Sequence, residues 1–158
     1  MAEWRVLVTG SRDWRYPATI RRALESAYVQ GHAQDGRPPW MTVVHGGARG
    51  VDSTAAAYAR DRGWNVEVHH ADWEEPCDKS CPPDHRRPGR AGDYCPNAGH
   101  RRNQQMVDGF AHLVLVFCRN HSGGTEDCLK RARKAGLNVV DPFRDCACHP
   151  VGQPVLPI

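Results

Sequence analysis

The sequence predicts an α/β protein: a Rossmann-like, doubly wound, mainly parallel sheet of about five strands, interrupted by a cysteine-rich loop insertion. Three observations predict it. Apolar, β-branched runs alternate along the chain with segments whose apolar residues recur at helical spacing. Three of the strand-to-helix connections are short, glycine-bearing turns. The alternation also calls for right-handed crossovers, which place helices on both faces of a parallel sheet.

The first strand is residues 5–9, whose apolar centre Val6-Leu7-Val8 suits a strand buried on both faces. A helix over 17–30 follows, with Pro17 suited to a first helical position and Ile20, Leu24, Ala27 and Tyr28 on one face. Residues 31–39 read as a loop by composition. Next come a strand over 41–45, an alanine-rich helix over 51–62 and a strand over 65–69. The second half predicts a helix over 101–110, a strand over 112–117, a helix over 125–134 and a strand over 137–140. Thr125 is the expected N-cap of that last helix, and Gly136 suits its C-terminal end. Residues 1–140 thus form one domain, with 72–99 as the insertion and 141–158 as an extended, proline-rich tail.

The glycine turns carry the functional signal. In Val43-Val44-His45-Gly46-Gly47-Ala48-Arg49-Gly50-Val51-Asp52, Gly46, Gly47 and Gly50 let the backbone turn and come close to a ligand. The first turn of the next helix adds free N–H groups and a positive dipole end, and Arg49 a forked cation. A similar turn, Thr9-Gly10-Ser11-Arg12, follows the first strand, and a third, Ser122-Gly123-Gly124-Thr125-Glu126-Asp127, follows the strand ending at Phe117. In an open parallel sheet such turns meet at the carboxyl ends of the strands, where ligands bind. Arg12, Arg49 and Arg102 could neutralise phosphate, and Asp52 could accept ribose hydroxyls or hold an arginine. His45, at a strand end, reads as a buried histidine.

With 158 residues, 40% of them hydrophobic, the chain is long enough for one core and too short for two comfortable domains. The net charge of +3 is modest, although Arg86, Arg87, Arg90, Arg101 and Arg102 cluster. No apolar run approaches the roughly 20 residues needed to span a bilayer. The N-terminus lacks a secretory leader, so a cytoplasmic location without a membrane partner is expected.

Seven cysteines in such a chain argue against a disulfide framework. The 72–99 segment is too long for an ordinary connection, so something must order it. Cys77, Cys81, His85 and Cys95 supply three thiolates and an imidazole, the ligand set of a tetrahedral structural zinc site. Zinc there would lend its binding free energy to ordering the loop. Cys146, Cys148 and His149 form a second, incomplete group, while Cys118 and Cys128 fall on apolar faces and read as core cysteines.

Thr9-Gly10-Ser11-Arg12, then His45 to Asp52, then Arg102-Asn103 with Met106, then Gly123-Gly124-Thr125 together resemble the YspA (cpYpsA-related) branch of the SLOG superfamily, the group that includes DprA and the LOG nucleotide hydrolases. The resemblance implies a pocket for a nucleotide or a nucleotide-derived ligand such as ADP-ribose. It also implies that Gly10, Ser11, Arg12, Gly46, Gly47, Arg49, Asp52, Arg102, Asn103, Gly124 and Thr125 line it. A sensor or binding module needs only those contacts and ranks first. A LOG-like hydrolase that cleaves an N-glycosidic bond is the alternative, with Arg102, Glu126 and Asp127 as catalytic candidates; against it, Cys128 stands where that motif carries glutamate. DprA-like binding of single-stranded DNA ranks third, with Trp14 and Tyr16 as the aromatics placed to stack, or equally to cover the core. Self-association into a homo-oligomer stays open.

Overall fold

The structure, a computed structural model, describes residues 3–35 and 40–141. The expected tail, with Cys146, Cys148 and His149, lies outside the described residues. The elements run β1 (Glu3–Gly10), α1 (Pro17–Asp35), β2 (Trp40–His45), α2 (Val51–Asp61), β3 (Asn65–Val68), α3 (Ala98–Asp108), β4 (Leu113–Phe117), α4 (Gly123–Lys134) and β5 (Val139–Val140). All four strand pairings are parallel, in the order β3-β2-β1-β4-β5. The chain therefore winds outward from β1 through β2 to β3, then crosses back to β4 and β5. The reversal falls between β1 and β4, where a doubly wound sheet opens its crevice.

Alternation along the strands builds a core on each face of the sheet. Val6, Val8, Val43, Leu115 and Phe117 pack toward Ile20 and Leu24 of α1 and Val51, Ala55 and Ala59 of α2. Leu7, Val44, Val114 and Val116 pack toward Met106 and Val107 of α3 and Cys128, Leu129 and Ala132 of α4. Each of these large apolar side chains stabilises the fold by about 1.5–3 kcal/mol relative to leaving it in water. Cys118 and Cys128 are buried, as their apolar settings predict.

Three local expectations need correction. Residues 31–35 are helical rather than loop, because α1 continues to Asp35. Gly31 faces inward, where a Cβ would stand 2.7 Å from Cγ of the Trp4 ring, so the glycine seats the helix on that indole rather than ending it. Helix α3 starts at Ala98, earlier than periodicity indicates. Thr125 does not cap α4: the helix opens at Gly123 with Ser122 before it, and Thr125 Oγ1 donates to Ser122 Oγ at 3.0 Å from inside the first turn. The glycine end signal holds. Gly136 has φ 72°, and the Gly136 and Leu137 amides donate to Arg133 and Ala132 carbonyls, closing the helix with paired bonds.

Gly31→Ala tests the α1 contact. Alanine favours a helix by up to about 1 kcal/mol over glycine, but overpacking a filled core costs about 1–3 kcal/mol. Net destabilisation of about 1 kcal/mol is expected in urea denaturation, and a gain in stability would refute the packing argument.

Candidate functional site

The turns after β1 and β2 are stacked backbone on backbone. A side chain on Gly50, which has φ 79°, would meet the Ser11 and Arg12 carbonyls, and one on Gly10 would meet Val51. The β1 turn is stitched to β4 as well. The Ser11 amide donates to the Phe117 carbonyl at 3.0 Å, and Ser11 Oγ both accepts from the Arg119 amide at 2.7 Å and donates to the Arg119 carbonyl at 3.0 Å. Glycine and serine here are the residues whose size permits such close approach.

Between these turns lies a crevice of about 420 Å³, framed by Gly10, Ser11 and Arg12, by Gly46 and Asp52, by Arg102 and Asn103, and by Gly124 and Thr125. Most of the expected site residues are thus brought together at the β1/β4 switch point. Gly47, Arg49 and Gly50 are outside its lining, with Arg49 exposed. Glu126 and Asp127 are outside it too: Glu126 lies 3.4 Å from His121 Nδ1, and Asp127 is held by Arg131 Nε at 2.8 Å and Asn103 Nδ2 at 3.0 Å.

Buried polar groups fix the walls. Asp52 Oδ2 accepts from the Gly46 amide at 3.0 Å and the Ala48 amide at 3.2 Å, so this carboxyl shapes the glycine turn from within. Burial raises its pKa to about 6, against the lowering effect of those amides and of Arg102. Arg102 donates to the Gly46 and His69 carbonyls and, through Nε, to Asn103 Oδ1 at 3.0 Å. Asn103, itself buried, donates to the Gly124 carbonyl at 3.1 Å and so ties α3 to the start of α4. His45 is buried with Nδ1 accepting from the Gly47 amide at 3.0 Å, while its Nε2 has no hydrogen-bond partner among the described residues. That is half of the satisfied core histidine the sequence suggests. Burial, then Arg60 and His70, lower its pKa to about 4.

Sequence reasoning passed over Arg119, Asn120 and Ser122, which also border the crevice. Their signal was a polar stretch directly after a buried strand. Of the two roles open to Trp14, stacking on a ligand or covering the core, the second holds: it packs edge-on against Phe117 at 5.5 Å.

The insertion folds around its thiols. The ligand atoms of Cys77, Cys81, His85 and Cys95 lie within 4.8 Å of one another. Cys81 and Cys95 Sγ are 3.7 Å apart, Cys95 Sγ lies 3.5 Å and Cys77 Sγ 2.9 Å from His85 Nε2. A tetrahedron with metal–sulfur bonds of about 2.3 Å has sulfur–sulfur edges of about 3.8 Å, so the group fits a metal ion. Arg101 Nη1 donates to Cys95 at 3.4 Å and Cys81 at 3.7 Å, and Asn97 Nδ2 to Cys81 at 3.6 Å. Burial pushes the Cys95 thiol up, but hydrogen bonds from Arg101 and the Asn97 backbone amide, with those from Cys77 and Cys81, outweigh it and bring the pKa to about 6. Donors that stabilise thiolate are what a cysteine-ligated metal requires. Arg101 thus faces the sulfurs and Arg102, its neighbour in α3, the crevice.

A doubly wound sheet whose glycine turns meet over a switch-point crevice defines a Rossmann-like domain. The chain belongs to the YspA, cpYpsA-related SLOG family: the model of that family matches residues 4–75, and the Gene 61 protein of Mycobacterium phage D29 is 37% identical over 142 residues, covering 87% of this chain and 94% of its own. Among solved structures it is similar to DNA processing protein A (DprA) from Streptococcus pneumoniae, with TM-score 0.55 and 19% identity over 86% of this chain. It covers 49% of DprA, about half of that protein's length. It is also similar to TM1055, with TM-score 0.52 and 18% identity over 86% of this chain and 72% of that one. At these identities the likeness is one of fold. Among the described residues no helix is long and apolar enough to cross a membrane.

Proposed function

We propose that this protein is a binding module for a nucleotide or nucleotide-derived ligand, such as ADP-ribose, seated in the β1/β4 crevice, and that a structural zinc ion held by Cys77, Cys81, His85 and Cys95 orders the loop beside it. One observation carries the ligand reading: glycine turns from β1 and β2, the start of α4 and the cations Arg12 and Arg102 all border one hollow. Backbone N–H groups, a helix N-terminus and guanidinium forks are the elements that hold phosphate. Binding without turnover is favoured over glycosidic hydrolysis because Glu126 and Asp127 lie outside the crevice lining, with Asp127 held by Arg131 and Asn103. DNA handling, the role that the name of DprA gives that protein, is left with the exposed Tyr16 as its stacking aromatic, since Trp14 packs edge-on against Phe117.

Thermal-shift titration with AMP, ADP-ribose and NAD tests the reading. A ligand at a hundredfold excess over its Kd adds about 2.7 kcal/mol of stability. Arg12→Ala removes an exposed crevice cation and is expected to weaken binding about tenfold without lowering the unliganded melting temperature, since a charge-assisted hydrogen bond is worth about 1.5–3 kcal/mol. Absence of any shift with all three compounds, alongside salt-sensitive retention of a single-stranded oligonucleotide, would favour the DNA reading instead.

A further inference from the structure

A second hollow, of about 650 Å³, adjoins the first, and Arg12 lines both. Its walls come almost entirely from the insertion, with Trp73 and Tyr94 as its aromatic surface and Asp72, Glu74, Arg90 and Asp93 as polar groups around it. Trp73 remains 41% exposed, although its ring is firmly placed. It meets the Tyr94 ring edge-on at 5.9 Å, and Gly99 of α3 leaves room for its far edge. The Trp73 carbonyl accepts from the Cys95 amide at 3.1 Å, and Tyr94 is paired in both directions with Arg87. The aromatic pair is therefore fixed by the same residue, Cys95, that belongs to the thiol cluster.

We infer that this second hollow is the base subsite of the same ligand: Trp73, backed by Tyr94, stacks the nucleobase while the first crevice takes the phosphate and sugar, with Arg12 at the junction. This rests on the nucleotide reading of the crevice and deepens it. A large, half-exposed indole beside an anion-binding turn leaves an apolar ring face in water unless a flat ligand covers it. The mixed donors and acceptors of Arg90, Asp72, Glu74 and Asp93 suit the polar edge of a base, whereas a bare phosphate would be repelled by the three carboxylates. Trp14 packs on Phe117, and neither it nor the exposed Tyr16 lines either hollow, so Trp73 and Tyr94 are the aromatics placed for the role.

Calorimetric titration of the full chain, purified without chelator, with AMP, GMP, CMP, UMP and ribose 5-phosphate separates the two subsites. At least one nucleotide is expected to bind roughly 5- to 100-fold tighter than ribose 5-phosphate, the range that stacking on one aromatic confers. Trp73→Ala should bring that nucleotide down to the ribose 5-phosphate level and leave ribose 5-phosphate unchanged, while Trp73→Phe keeps most of the preference. The nucleotide should also quench tryptophan emission in the wild type and no longer do so in Trp73→Phe. An unchanged melting temperature in Trp73→Ala would show that the variant folds. Equal affinity of all four nucleotides and ribose 5-phosphate, or a preference that survives Trp73→Ala, overturns the base subsite and leaves the crevice reading standing. Failure of every compound to bind overturns both.

Discussion

Replacing Cys95 with serine, or stripping the protein with a chelator, is expected to leave the five-stranded sheet folded and to release the insertion. Ordering backbone costs about 1–2 kcal/mol per residue, and the segment between β3 and α3 has little regular structure to offset it beyond the short Arg87–Tyr94 pairing. Zinc binding contributes about 10–16 kcal/mol in small zinc-dependent peptides, enough to decide whether such a segment is ordered. The sheet core does not depend on it: the two apolar clusters draw on strands and helices, and Cys95 belongs to neither. Wild-type protein should therefore carry one zinc per chain. In Cys95→Ser the metal content should fall toward zero, amide protection should collapse between β3 and α3, and trypsin should cut after Lys79, Arg86 and Arg90 while β1, β2 and β4 stay protected. Because Arg101 donates to Cys95 and Cys81, the first turn of α3 should fray with the loop and loosen Arg102 beside it. Metal-free wild-type protein with a fully protected insertion would contradict this account.

The sheet and its crevice were legible because their physics is periodic. Apolar runs such as Val6 to Val8 and Leu113 to Phe117 leave few alternatives to buried strands, and glycine turns at their ends place the crevice once the sheet is parallel. Gly31 misled because composition alone marks glycine as a breaker, whereas here its missing side chain makes room for Trp4, which is distant in sequence. Thr125 misled similarly: a threonine after two glycines looks like a cap, but those glycines already form the first helical turn. Arg49 sat in the most ligand-like motif and proved exposed, since motif position does not fix the direction of a long side chain. The cluster of Cys77, Cys81, His85 and Cys95 could be read from its chemistry alone. Trp73 and Tyr94 could not, because only the folding of the insertion brings them together.

Asp52→Asn is expected to expose a pH dependence that the wild type conceals. Asp52 and His45 lie 4.0 Å apart, both buried, and burial shifts them in opposite senses. Asp52 rises from 3.8 to about 6, so its contribution favours the fold at low pH and is lost as pH climbs through about 6. His45 falls from 6.5 to about 4, so its contribution is present above 6.5 and lost as pH drops through about 4. Near pH 5 the unfolded chain holds one proton on the imidazole, and the folded chain holds one on the carboxyl. Folding moves the proton without changing the count, and the pair adds almost no slope to stability. Arg12, Arg60, His70 and Arg102 set the surrounding field, all of them disfavouring a charged imidazole or favouring a charged carboxylate. Asparagine at position 52 can still accept from the Gly46 and Ala48 amides but cannot titrate. The histidine slope then stands alone, worth about 3 kcal/mol between pH 6.5 and 4 at 1.36 kcal/mol per unit. His45→Asn should tilt the other way, losing a similar amount as pH rises from 4 to 6. Urea denaturation at pH 4, 5, 6 and 7 measures both slopes. Glu67, held down to about 2 by Arg5, loses its contribution only below about 4.5 and does so equally in all three proteins, so it cancels in the comparison. Parallel stability curves for wild type and Asp52→Asn would show that the carboxyl does not carry the compensating proton.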